Sequence, residues 1–223
     1  AGGVSVPLSI KLEESNDLLF RLIHGDVKYI IASSRQLNKI RLIRDQLPFV
    51  EKIFVLDPVE SYEPGEIAAE DLMNRGAKYL ETNMEEFLKI GQSIQNDDIA
   101  TITYTSGTTA DPKGVVLTHR NYTANVEQSL SCINIDENIK MLIILPLDHC
   151  FAHVVGMYAM MARGAKIATV PQGKSAMETL RNIPMSIAAV KPNVMLSVPA
   201  LAKNFKKNIE SSVEKSGKKK IFD

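Results

Sequence analysis

The sequence predicts an α/β fold of largely parallel sheets flanked by helices. Three observations predict it. Short β-branched and aromatic runs alternate with longer stretches whose apolar residues fall three and four apart. Through residue 56 the order reads β-α-β-α-β, which implies parallel strands joined by right-handed crossovers. A later strand, residues 141–145, is apolar throughout and ends in a polar, histidine-bearing loop, where open α/β sheets place ligands.

Taken in order, residues 4–8 form a short apolar strand. Residues 13–24 carry Leu18, Leu19, Leu22 and Ile23 at helical spacing, and Gly25 ends that helix. Residues 27–32 are a buried strand and Ser34 reads as an N-cap. Residues 36–47 then form a helix with Leu37, Ile40, Ile43 and Leu47 on one face. A strand at 50–56 and a polar loop at 57–65 follow. Residues 67–80 and 84–90 read as two helices, the second capped by Asn83. Asn96, Asp97 and Asp98 introduce a strand at 99–104. Such an acidic pair suits catalysis or metal binding in isolation, but its place at a strand start favours a solvated turn. A second apolar run spans 115–117, and Thr118 or Asn121 caps a helix at 121–132. After the 141–145 strand come a Met-rich helix at 154–162, a strand at 164–170, a helix at 183–190 and a strand at 194–198. A helix with a lysine-rich face fills 200–209, and residues 210–223 form a charged tail expected to be mobile. No internal repeat is present.

The 223 residues, 45% hydrophobic, suffice for one large domain or two small ones. Lys+Arg and Asp+Glu both total 26, so no overall field favours nucleic acid. Cys132 and Cys150 lack metal spacing and read as small buried hydrophobes; two thiols fit a reducing, cytoplasmic compartment. No metal ligand set stands out. No apolar run approaches the roughly 20 residues of a membrane span. The run Lys218-Lys219-Lys220 could touch acidic phospholipid at the inner membrane face, but is too short to anchor, and a solvated end is the better reading. The first residues lack a start Met and resemble the interior of a fold, so the chain reads as a fragment.

Residues 102–121 carry the chemistry. The strand breaks into four hydroxyls, Thr105, Ser106, Thr108 and Thr109, which donate without adding charge. Gly107 and Gly114 let backbone N–H groups approach a ligand. Pro112 stiffens the return, and Lys113 is a flexible cation able to follow a moving phosphate. The segment suits a polyanion. It is not a Walker A loop: Pro112 precedes Lys113 and Gly114 follows it, leaving no Ser or Thr to hold Mg²⁺.

The order Tyr104-Thr105-Ser106-Gly107-Thr108-Thr109, then Pro112-Lys113-Gly114-Val115, resembles the phosphate loop of the adenylate-forming (ANL) superfamily, which includes acyl-CoA synthetases, luciferases and peptide-synthetase adenylation domains. Ala110 departs from the usual Gly; if that position needs positive φ, Ala costs about 1 kcal/mol. Leu145-Pro146-Leu147, His149 and Phe151 resemble the superfamily's acyl-pocket motif, whose histidine or aromatic lies near the carboxylate to be activated. Residues 190–200 resemble the long-chain fatty acid–CoA ligase branch, although Ala200 and Lys203 stand where that branch often has Arg and Glu. Met157, Met160 and Met161 could wall an acyl tunnel, but at helical spacing they read first as core.

The resemblance implies that residues 1–209 are part of an ANL N-terminal AMP-binding domain with its phosphate loop at 104–114. It implies that Thr105, Ser106, Gly107, Thr108 and Thr109 cradle the β- and γ-phosphates of ATP. Lys113 draws off pyrophosphate and His149 orients the carboxylate. ATP, Mg²⁺, coenzyme A and a fatty acid would be the full-length enzyme's cofactor and substrates. The family's adenine, ribose, hinge and C-terminal lysine motifs are not found before Asp223, so the chain alone is expected to be inactive. Two alternatives remain open: a relative that loads an amino or aryl acid onto a carrier protein, and a non-catalytic homologue hinted at by Ala110.

Overall fold

A computed structural model of the chain describes residues 2–10, 12–105, 112–173 and 175–215. They fall into two compact units, Ala1–Thr123 and Ala124–Asp223.

In the first unit, α1 (Ser15–His24), β1 (Tyr29–Ala32), α2 (Ser34–Ile43), β2 (Lys52–Val55) and β3 (Glu66–Ala68) follow one another. The three strands pair in parallel in the order β1-β2-β3, with Ile30 opposite Ile53 and Ile53 opposite Glu66. Strand alternation sends Ile30, Ala32, Ile53 and Val55 to one face. There they meet Leu22 of α1 and Leu37, Ile40 and Ile43 of α2 in one apolar cluster. The face expected of the second helix, Leu37, Ile40, Ile43 and Leu47, is buried throughout, although a 3₁₀ turn replaces its end at Arg44–Gln46.

Local differences from expectation have identifiable causes. Residues 4–8 make only a single bridge, Ser5 to Thr101; Pro7 has no N–H to extend a ladder. Glu66–Ala68 is a strand rather than a helix start. Gly65 turns the chain at φ 89° and gives its carbonyl to Ile53 N–H at 2.9 Å. Ser33, not Ser34, is the N-cap of α2; the Ser34 N–H and hydroxyl both donate to the Asp57 carboxylate, at 3.0 and 3.2 Å. The two helices expected at 67–90 are one, α3 (Ala69–Ser93), kinked at Asn83 (φ −124°, ψ 20°). Asn83 does not cap a new helix: its amide donates back to the Tyr79 carbonyl at 2.9 Å.

The unit continues with an antiparallel hairpin, β4 (Ile99–Thr105) and β5 (Lys113–Thr118), the exception among parallel sheets. Helix α4 (His119–Cys132) follows. Thr118 and Asn121 cap it together. The Thr118 N–H and hydroxyl reach Asn121 Oδ1 at 2.9 and 3.0 Å, while Asn121 N–H returns to the Thr118 hydroxyl at 3.3 Å.

In the second unit, β6 (Lys140–Ile143) lies between β7 (Lys166–Thr169) and β8 (Val194–Met195), all parallel. Met141 and Leu142 are fully buried, as an apolar central strand requires. The Met-rich helix is α5 (Cys150–His153), a π turn (Val154–Tyr158) and α6 (Ala159–Ala162) in succession. Met160 is fully buried in the core and Met157 packs against it, whereas Met161 is 59% exposed. Helix α7 (Ala176–Val190) begins well before residue 183. The Ser175 hydroxyl caps it by accepting Glu178 N–H at 3.2 Å, and Pro184 lies inside it. Helix α8 (Pro199–Lys215) runs beyond Ile209 into the first residues of the charged tail.

Candidate functional site

The hairpin register sets the first part of the site. Tyr104 lies opposite Gly114 and Thr105 opposite Lys113, so β4 and β5 deliver Thr105 and Lys113 side by side at the mouth of the connecting loop. Directly opposed residues project to the same face. Both are exposed, and among the described residues the Lys113 side chain forms no ion pair. A cation and a hydroxyl are thus presented together with nothing described to neutralise the charge. Ser106, Gly107, Thr108, Thr109 and Ala110 lie outside the described residues.

One face of the hairpin is fixed to α1 by Tyr104. Its hydroxyl lies 2.8 Å from His24 Nδ1 and donates to the Arg21 carbonyl at 3.3 Å, while burial raises its pKa. On the opposite face, Thr101 and Tyr122 of α4 share a buried hydroxyl–hydroxyl bond of 2.8 Å. The acidic pair is structural. Asp97 forms a two-pronged pair with Arg120 at 2.7 and 3.1 Å, and that bond holds its carboxyl below the ordinary range. Asp98 accepts Gln95 N–H at 2.7 Å, closing the turn. Among the described residues no group of three His, Cys, Asp or Glu could hold a metal.

His149 belongs to the second unit, as the N-cap of α5. It is exposed, and its Nδ1 accepts Phe151 N–H at 3.3 Å. With Nδ1 accepting, Nε2 is the ring nitrogen left to donate. The His153 ring lies tilted against Tyr158, their centres 4.6 Å apart, and burial lowers its pKa. In the same unit a cleft of about 460 Å³ opens where β6 and β8 end. Ile144, Met195, Ala202, Phe205 and Ile209 line it, with Ser197, Lys206 and Glu210. The carboxyl ends of parallel strands are the usual ligand side of such a sheet.

Sequence reasoning missed two features: the attachment of Tyr104 to α1 and the cleft against α8. His24 and Tyr104 are 80 residues apart, and no local pattern announces the pair. The Ser175-x-x-Glu178 start of α7 was, by contrast, present in the sequence as a capping signal.

The profile of the AMP-binding enzyme family matches residues 1–221. The chain belongs to the AMP-binding enzyme family. Its relatives include the long chain acyl-CoA synthetases 7 and 6 of Arabidopsis thaliana, both peroxisomal. They are 29% and 30% identical to it over 99% of this chain, which spans only 31% and 30% of their own lengths. Coronafacic acid ligase from Pectobacterium brasiliense shares the fold with a TM-score of 0.72 at 21% identity, over 94% of this chain and 38% of that one. The anthranilate CoA ligase AuaEII in complex with anthranoyl-AMP does so with a TM-score of 0.69 at 19% identity, over 86% and 34%. The chain therefore has the α/β architecture of ANL ligase N-terminal domains. Among its described residues no helix is long and apolar enough to cross a membrane.

Proposed function

We infer that this chain is the phosphate-gripping part of an ATP-dependent fatty acid–CoA ligase of the long-chain type. The observation that carries the reading is the loop mouth, where Lys113 and Thr105 face each other as exposed cross-strand neighbours in an AMP-binding family chain. The carboxylate oxygen attacks the α-phosphorus of ATP, forming acyl-AMP and releasing pyrophosphate. The thiolate of coenzyme A then attacks the acyl carbonyl and AMP departs. In the first step the protein's work is positioning and charge stabilisation. Thr105 and the loop residues Ser106, Gly107, Thr108 and Thr109 cradle the β- and γ-phosphates, and Lys113 stabilises the departing pyrophosphate. ATP arrives with Mg²⁺, to which we assign no ligand among the described residues. His149 Nε2–H is free to orient the carboxylate, and the apolar cleft of Phe205 and Met195 offers room for part of an acyl chain. Relatives named long-chain acyl-CoA synthetases support the fatty acid as substrate. We place the protein in a reducing compartment such as the cytoplasm.

Substitution of Lys113 by Ala in the full-length protein tests the reading. Acyl-AMP formation should slow by about 10²-fold or more, as for removal of a group that stabilises developing charge, with fatty-acid binding retained. Unchanged adenylation kinetics would remove Lys113 from the mechanism. In the same assay the isolated 223-residue chain should release no pyrophosphate from ATP and palmitate. A substrate panel in which only amino or aryl acids were activated would move the protein to the carrier-loading branch. Absence of saturable ATP binding would make it a non-catalytic homologue.

A further inference from the structure

Behind the loop mouth stands a cluster of rings and charges that the proposed reaction does not use. Phe20, Arg21 and His24 lie along the last turns of α1. Phe20 and His24 stack at 5.3 Å, as residues four apart on a helix do. The Tyr104 ring meets both edge-on, at 6.5 and 5.8 Å. The Arg21 guanidinium carbon sits 5.8 Å from the Tyr104 ring centre, within cation–π range. Arg21 is itself buried and tied to Asp17, whose carbonyl accepts its N–H at 2.7 Å.

The hydroxyl of Tyr104 has one hydrogen. When it is given to the Arg21 carbonyl, His24 Nδ1 must donate to the phenol oxygen. Gly25 makes room for this contact: a Cβ there would lie 3.0 Å from the Arg21 carbonyl oxygen and 3.4 Å from the Tyr104 hydroxyl. The other edge of the ring covers β5. A Cβ on Gly114 would sit 3.4 Å from Tyr104 Cε1 and 3.1 Å from Ile102 Cγ2. Tyr104 is thus held between α1 and the first residues of β5, and the next cross-strand pair is Thr105 with Lys113.

We propose that Tyr104 is a positioning residue for the loop mouth, with His24 as the group that holds its hydroxyl, so that α1 sets the placement of Thr105 and Lys113 before the triphosphate arrives. The proposal rests on the nucleotide reading above. Neither Tyr104 nor His24 touches the reacting atoms in it. Fixing the loop mouth in advance lowers the ordering cost of binding, so its loss shows in the affinity for nucleotide and not in that for carboxylate.

The test uses the full-length protein and four variants: Tyr104→Phe, His24→Leu, His24→Asn and the double variant Tyr104→Phe/His24→Leu. MgATP affinity is measured by calorimetry, alongside KM for MgATP and for palmitate and the melting temperature. Tyr104→Phe and His24→Leu should each weaken MgATP binding by about three- to tenfold, the range for loss of one hydrogen bond, with KM for palmitate unchanged. The double variant should be no weaker than the worse single one, because the same bond is lost. His24→Asn, which keeps an N–H donor near the place of Nδ1, should return to within about twofold of the parent, since the bond is remade. Unchanged MgATP affinity in Tyr104→Phe and His24→Leu, with Lys113→Ala still impaired, overturns the positioning role and spares the nucleotide reading. Equal shifts in both KM values with a large fall in melting temperature, or failure of both single variants to fold, reduce the cluster to a structural one and overturn the proposal. Absence of saturable MgATP binding by the parent protein overturns both readings.

Discussion

The two sheets of the first unit are held by different physics. The β1-β2-β3 sheet rests on an apolar cluster in which Leu37 is 2% exposed and Ile53 and Val55 are 1% exposed. The β4-β5 hairpin rests on directional contacts: Tyr104 with His24 and Arg21 on one face, Thr101 with Tyr122 on the other. Apolar burial is non-directional and scales with area, so it builds a scaffold that tolerates small shifts. Hydrogen bonds and ring contacts depend on distance and angle, so they hold a loop mouth in one geometry. The sheet supplies stability, and the hairpin supplies placement.

This contrast is open to test. The largest expected effect is in the scaffold. Leu37→Ala should destabilise the first unit by about 2–5 kcal/mol through lost burial and a residual cavity. Thermal unfolding measures this, and affinity for MgATP should be unchanged below the melting transition. A parallel loss of nucleotide affinity would show that the two sheets are not separable in function.

A smaller effect is expected in the hairpin. Tyr122→Phe removes the buried partner of the Thr101 hydroxyl and should cost about 1–2 kcal/mol in denaturant unfolding. A neutral result would mean that the apolar contacts of the Tyr122 ring, not its hydroxyl, support that face.

The smallest effect is electrostatic. Arg41 grips Glu66 with two bonds, of 2.8 and 2.7 Å, and the Glu66 side chain is 2% exposed. The guanidinium bond lowers the Glu66 pKa. A depressed carboxyl stabilises the fold above its unfolded pKa and loses that contribution as pH falls through the folded value. Glu66→Gln should therefore lower the melting temperature at neutral pH. The gap from the parent should narrow once pH falls below the ordinary glutamate range of about 4. A gap constant down to pH ~3 would show that Glu66 acts through packing, not charge.

Much of the scaffold was legible in the sequence because its signals are local. The helical spacing of Leu37, Ile40, Ile43 and Leu47 marks a buried face wherever that face ends up. The apolar run around Met141 and Leu142 marks a central strand for the same reason. Short elements were less legible. β3 exists because Gly65 turns the chain beside β2 and Arg41 holds Glu66, and neither contact is local. The site divides the same way. Thr105, Lys113 and His149 were chosen for their chemistry and motif, and the hairpin register then put the first two side by side.

By itself, the sequence determined the α/β class, which resides in the order and periodicity of its apolar residues, and the motif at 104–115 carried the resemblance to the family that the profile match shows. Only the tertiary structure decided that Tyr104 is clasped by the end of α1, that the acidic Asp97 serves Arg120, and that an apolar cleft opens beside α8. Each joins groups far apart along the chain, and such contacts are set by how packed elements meet in space, which no local pattern encodes.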